Sequence, residues 1–220
     1  MPVNAVFFDL DGTLVDNFTA VHICCNLTMR ELGLPEIPYD RVRRTVGGSI
    51  VLTMQRLAGE KLAPKAVQLY GGFFARHWAD GLFAMEGAAW LLARLGKSGV
   101  KRAVLTNKNE ESSRKIMRHL GLEALVEDVI GTTEAAAARG FRKPNPDFTR
   151  SALERLGASA GESLMIGDSP FDAEAGLSAG LSVHLVATGT HTAEQLQAIG
   201  APVHGNLYEL GEAAFGFKRP

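Results

Sequence analysis

Cysteine is nearly absent: of 220 residues only Cys24 and Cys25 carry thiols, and they are adjacent. Neighbouring cysteines cannot adopt ordinary disulfide geometry without strain, so no disulfide framework is expected and the class of small stapled domains is excluded. Also missing is any apolar run of the roughly 18 residues that a membrane helix needs. The first nine residues have no basic region, long apolar stretch or small-residue cleavage site of the kind that marks an export signal. A cytoplasmic protein without a membrane partner is expected. Neither sign of charge dominates, with 23 Lys and Arg against 24 Asp and Glu, interspersed, for a formal net charge of −1. No basic stripe could neutralise a nucleic-acid backbone, so the expected partner is a small molecule. Six histidines are scattered without a pair at metal-ligand spacing and read as structural or surface residues.

What the sequence does contain is a rhythm. Short β-rich runs ending in polar residues occur at 5–9, 102–106, 125–130, 163–166 and 182–186. Segments of helical period lie between them at 87–97, 110–120, 147–156 and 172–179, several followed by glycine. Strand, helix, strand repetition predicts an α/β fold built on a parallel sheet. Residues 16–83 break the pattern, with helical segments at 17–32 and 64–79 and no convincing strand, and read as an inserted α-helical cap. The core is then 1–15 with 84–220.

In an open α/β sheet, ligands bind outside the carboxyl ends of the strands. The residues terminating the predicted strands are Asp9 and Asp11, then Thr106 and Asn107, then Asp168 followed by Asp172, with Lys143 in a loop before a helix. Residues two apart on a strand point to one side, so Asp9 and Asp11 can face one reacting group in two roles. Several acids gathered at one sheet edge would repel one another unless a cation neutralised them. Hard oxygen donors without histidine or thiolate suit Mg2+ shared with a phosphate. Thr106 and Asn107 offer neutral donors to phosphate oxygens, and Lys143 adds a point charge. Each motif alone has a plainer reading: a strand entering an Asp-Gly turn, a helix cap at Thr106-Asn107, a cap with proline at 167–170, a surface lysine. Four such coincidences at one edge are a poor alternative to a site.

These residues resemble the haloacid dehalogenase-like hydrolases, and within them the phosphatases of the phosphoglycolate phosphatase type with a helical cap inserted after the first motif. The first motif is matched by Phe7-Phe8-Asp9-Leu10-Asp11-Gly12-Thr13-Leu14-Val15-Asp16, the second by Leu105-Thr106-Asn107-Lys108, the third by Arg142-Lys143-Pro144-Asn145-Pro146 and the fourth by Ile166-Gly167-Asp168-Ser169-Pro170-Phe171-Asp172. The resemblance covers essentially the whole chain and implies a Rossmann-like core. It implies Asp9 as nucleophile forming an aspartyl phosphate, Asp11 as general acid and then base, and Thr106, Asn107 and Lys143 as phosphate ligands. Mg2+ would be held by Asp9, the Asp11 carbonyl and Asp168, with Asp172 behind them or as an occasional ligand. The second aspartate argues against a dehalogenase, since a halide leaves without a proton. Residues 41–49 resemble the cap's specificity loop, which places Gly47, Gly48 and Ser49 near the substrate, with Arg44. The stretch 131–143 is longer than the family often has there.

The expected function is therefore Mg2+-dependent hydrolysis of a small phosphorylated metabolite by a monomer or homodimer. Two alternatives stand beside it: a sugar-phosphate mutase using the same aspartates, and a non-catalytic phosphometabolite-binding protein.

Overall fold

The structure, a computed structural model, describes residues 3–46 and 49–220. Its strands are β1 (Ala5–Phe8), β2 (Val15–Asp16), β3 (Phe83–Ala84), β4 (Lys101–Asn109), β5 (Asp128–Thr132), β6 (Ser163–Gly167), β7 (Ser182–Val186) and β8 (Val203–His204). Six of them form one sheet in the order β5-β4-β1-β6-β7-β8, while β2 pairs with β3 separately. Every neighbouring pair in the large sheet is parallel. The helical unit contains α1 (Phe18–Glu31), α2 (Tyr39–Arg43), α3 (Ile50–Ala58) and α4 (Ala63–His77). The remaining helices are α5 (Ala88–Lys97), α6 (Glu110–His119), α7 (Glu134–Ala138), α8 (Pro146–Leu156), α9 (Pro170–Ser178), α10 (Ala193–Gln197) and α11 (Leu207–Phe215).

The chain divides into two compact units, one made of Met1–Val15 and Ala84–Pro220, the other of Asp16–Phe83. In the first, β1 reads Ala-Val-Phe-Phe and is buried along its whole length. A strand in the middle of a parallel sheet is covered on both faces, which is why its sequence is a continuous apolar run rather than an alternation. Ala5 and Phe7 share one face with Leu105, Met165 and Leu185, packed against Phe148 and Ala152 of α8 and Ala173 of α9. Burying each such large side chain is worth about 1.5–3 kcal/mol relative to exposure.

In the second unit, Cys24, Cys25 and Met29 of α1 pack with Met54 of α3 and Ala66 and Tyr70 of α4. Cys24 and Cys25 form no disulfide. Burial, with Cys24 beside it, pushes the Cys25 thiol up to about 12, so it stays protonated and inert near neutral pH.

Two strand expectations need correction. The run at 125–130 begins as a single 3-10 turn, Glu123–Leu125, and the strand is displaced to Asp128–Thr132. The region 16–83 is not wholly strand-free, because β2 and β3 take its first and last residues into a two-stranded pairing. The long stretch after β5 is partly ordered as α7, whose first turn is capped by Thr133 accepting from the Ala136 amide at 3.1 Å.

Candidate active site

The central strand of the sheet delivers the first carboxylate. The Asp9 amide donates to the Ile166 carbonyl at 2.8 Å, so the chain stays in line with β6 for one residue beyond β1 and then turns. The Leu10 carbonyl accepts from the amides of Thr13, Leu14 and Val15, and the Gly12 amide donates to Val15. Gly12 has φ +87°, and a Cβ there would stand 2.8 Å from the Gly189 Cα and 2.9 Å from Asp168 Oδ2. Only glycine satisfies both the left-handed backbone and this close approach.

The neighbouring strand β6 ends in Asp168, and the first turn of α9 carries Asp172. Both are almost fully buried. Asp172 Oδ2 accepts from the Ser169 amide at 3.1 Å and the Ser169 hydroxyl at 2.6 Å, while its Oδ1 accepts from Lys143 Nζ at 2.6 Å. A Cβ on Gly167 would collide with Asp172, and one on Gly189 with the Asp168 carboxylate. The carboxylates therefore occupy space that two glycines leave open. Asp168 Oδ2 also accepts from the Thr190 amide at 2.8 Å and hydroxyl at 3.2 Å.

Lys143 arrives from the loop before α8 and is 2 % exposed. Its ammonium donates to Asp9 Oδ1 and Asp172 Oδ1, each at 2.6 Å. Asn107 fixes the lysine's backbone from both sides: its Oδ1 accepts from the Lys143 amide at 2.7 Å and its Nδ2 donates to the Lys143 carbonyl at 3.0 Å. The side-chain amide of Asn107 thus holds the loop that carries the cation. Thr106, also buried at the end of β4, accepts the Lys108 amide at 3.2 Å and keeps its hydroxyl proton for another acceptor.

Asp11 lies at the rim, paired through Oδ2 with Lys108 Nζ at 3.0 Å. Of the expected residues in the helical unit, Ser49 caps α3, its Oγ accepting the Leu52 amide at 3.3 Å. Arg44 Nε donates to the Asp40 carbonyl at 3.2 Å. Gly47 and Gly48 lie outside the described residues.

Among the described residues, Asp9, Asp168 and Asp172 each offer a carboxylate oxygen within 4.8 Å of the others. Three carboxylates against the one ammonium of Lys143 leave two negative charges in a buried space when all are ionised. Burial pushes Asp9 up to about 7, helped by the charges of Asp172 and Asp11 and opposed by Lys143. Burial raises Asp168 as well, with Asp172 and Asp9 adding to it and Thr190 opposing. For Lys143 burial works downward, but the carboxylates of Asp172 and Asp9 outweigh it and hold the ammonium above its ordinary value. An all-oxygen donor set with a charge deficit of two fits a divalent hard cation such as Mg2+. Asp172, with both oxygens already engaged, fits a supporting place better than a ligand's.

Four contributors were not anticipated from the sequence: Lys108, Ser169, Thr188 and Thr190. Thr188 Oγ1 donates to the Gly12 carbonyl at 2.6 Å, so the segment after β7 closes the site from the side opposite β4. The signal was present, since Ala187-Thr188-Gly189-Thr190 terminates a predicted strand at the same edge as the others.

Comparison with known proteins bears on the family and the fold. The haloacid dehalogenase-like hydrolase family matches residues 6–186. A phosphoglycolate phosphatase of Rhodospirillum rubrum is 33% identical, over 98% of this chain and 92% of its own. The tyrosine-protein kinase PtkA of Mycobacterium tuberculosis is 31% identical, over 94% of this chain and 71% of its own. A crystal structure of a predicted phosphatase from Clostridium acetobutylicum superposes with a TM-score of 0.88 at 23% identity, covering 99% of this chain and 100% of that one. In sequence and in fold the chain belongs to the haloacid dehalogenase-like hydrolases, as a phosphatase-like member of that family.

Proposed function

We propose that this enzyme is a cytoplasmic, Mg2+-dependent phosphatase that hydrolyses a small phosphate monoester of the phosphoglycolate kind through an aspartyl phosphate on Asp9. The observation that carries the reading is the buried Asp9 carboxylate, 2.6 Å from Lys143 and gathered with Asp168 and Asp172 at the carboxyl edge of the sheet. Mg2+ would be held by Asp9, the Asp11 carbonyl and Asp168, and when bound supplies positive charge to the phosphoryl oxygens and the surrounding acids.

The chain's own groups divide the work. Lys143, fixed by Asp9 and Asp172, holds Asp9 toward its ionised form and offers charge to the transferring phosphoryl group. An Asp9 carboxylate oxygen forms the new bond to phosphorus while the bond from phosphorus to the ester oxygen breaks. Asp11 gives that oxygen its proton. A water then attacks the phosphorus, Asp11 takes the water's proton, and inorganic phosphate leaves with Asp9 restored. Thr106, with the backbone amides of its loop and the second N–H of Asn107, receives the non-bridging oxygens. Gly47, Gly48 and Ser49 are assigned to the organic remainder.

The test is phosphate release from a panel of phosphorylated metabolites, with Mg2+ and then with chelator, for the wild type and Asp9→Asn. Release should depend on the metal and fall by about 10⁴-fold or more in the variant, as losing a nucleophile does. An Asp9→Asn enzyme that still turned over would overturn the mechanism. Rearrangement of a sugar phosphate without accumulation of phosphate would replace hydrolysis by the mutase reaction.

A further inference from the structure

The site contains two ammonium groups, one against each aspartate of the first motif. Lys143 sits on Asp9, and Lys108 sits on Asp11, with Nζ 3.0 Å from Oδ2. The backbone of Lys108 is held as firmly as a strand allows. Its amide donates to Thr106 Oγ1, and its carbonyl lies so close to β5 that a Cβ on Gly131 would stand 2.6 Å from it. The ladder between β4 and β5 breaks register between Leu105 and Asn109, the stretch that contains Lys108. An irregular strand segment of this kind re-aims a side chain that regular pleating would send elsewhere. Asp11 is different: its backbone is fixed by the turn at Gly12, but its carboxylate projects at the rim and can swing about two torsions.

We propose that Lys108 is a positioning residue for Asp11, holding the carboxyl group in the orientation from which it reaches the ester oxygen of the substrate. The inference rests on the phosphatase reading above, in which phosphorus passes from the ester oxygen to Asp9 and that oxygen takes its proton from Asp11. It concerns where the proton donor stands and not how strongly it holds its proton. In this role Lys108 acts through the Asp11 carboxyl group it holds and not on the substrate itself.

The experiment compares kcat/KM for a simple alkyl phosphate with that for p-nitrophenyl phosphate. An alkoxide needs a proton to leave, whereas nitrophenolate leaves without one, so a misplaced Asp11 penalises the first ester selectively. Lys108→Met should lower kcat/KM for the alkyl ester by roughly 30- to 100-fold, within the span of general acid catalysis, and for the nitrophenyl ester by less than about threefold. Asp11→Asn should give the same pattern, more steeply. Lys108→Arg, which restores a cation, should recover to within about fivefold of wild type on the alkyl ester. Lys108→Gln serves in place of the methionine variant if that one fails to fold. Equal losses on both esters, or no loss on either, would overturn the inference and leave the phosphatase reading intact. Absence of phosphate release by the wild type from both esters would instead remove the reading beneath it.

Discussion

Two clusters of ion pairs in the same unit respond to burial in opposite ways. At the outer end of the sheet, Arg114 Nη2 meets Asp128 Oδ1 at 2.6 Å and Glu110 Oε1 at 3.3 Å. Arg155 meets Glu110 Oε2 at 3.1 Å and Asp128 Oδ2 at 2.8 Å. Two arginines face two acids, and the square ties α6, β5 and α8 together. Partial burial works against the charged form of both acids, but hydrogen bonds from Arg155 to Glu110 and from Arg114 to Asp128 prevail and hold them below the ordinary carboxylate range. At the strand ends, three acids share one lysine, burial is nearly complete, and Asp9 and Asp168 move upward instead. Matched charges at a surface settle a structure. Unmatched charges in a buried site repel one another unless a cation joins them, and perturbed carboxylates of this kind cluster at places where chemistry is done.

Cutting the buried cluster should have the largest effect. Lys143→Met should destabilise the chelator-treated protein by about 3–5 kcal/mol, the usual cost of stranding a buried charge. Urea unfolding would measure it, and a loss below about 1 kcal/mol would mean that the three acids do not depend on the lysine.

A metal should have a smaller and pH-dependent effect. Burial pushes Asp9 up to about 7, against an ordinary aspartate value of about 3.9. The folded state then holds a proton that the unfolded state has lost. The resulting stability is present below about pH 4 and is lost as the pH rises through about 7. Mg2+ competes for the same oxygens, so its increase in thermal midpoint should be larger at pH 8 than at pH 5.5. A larger increase at the lower pH would contradict the assignment of these acids.

The surface square provides the smallest effect. Arg155→Met should cost under about 1 kcal/mol, since exposed pairs contribute little and Arg114 still touches both acids. A loss comparable to that of Lys143→Met would erase the distinction between the two clusters.

Much of the sheet was legible because a buried parallel strand has a simple signature: β1, β6 and β7 are short apolar runs stopped by polar residues. The strand β8 was not, because two residues cannot display any period, and α2, at five residues, is too short to show a helical one. The displacement of β5 has a local cause. Leu125 and Val126 are apolar enough to read as strand, yet Glu123–Leu125 closes a 3-10 turn first. Asp9, Asp168, Asp172 and Lys143 were visible because they end strands or sit in recognisable motifs, and the structure brings them together. The bonds from Asn107 to Lys143 and the pairing of Lys108 with Asp11 were hidden for another reason: a sequence announces which side chain is present, not which of its neighbours it will hold. Thr188 is separated from its partner Gly12 by more than 170 residues of sequence, whereas Thr190 meets Asp168 from only 22 residues away and was passed over because no charge marks it at the strand's end.

The two-way bond between Asn107 and the backbone of Lys143 bears on how such enzymes diversify. A loop entering from β5 would ordinarily transmit every insertion or deletion to whatever it carries at its far end. Here the lysine is registered to β4 rather than to the loop, because one planar amide accepts from its N–H and donates to its carbonyl. Residues 133–142, beyond the end of β5, are thereby released from any duty of measurement. They can lengthen, shorten or fold into a turn of helix such as α7, and the ammonium still arrives at the same two carboxylates.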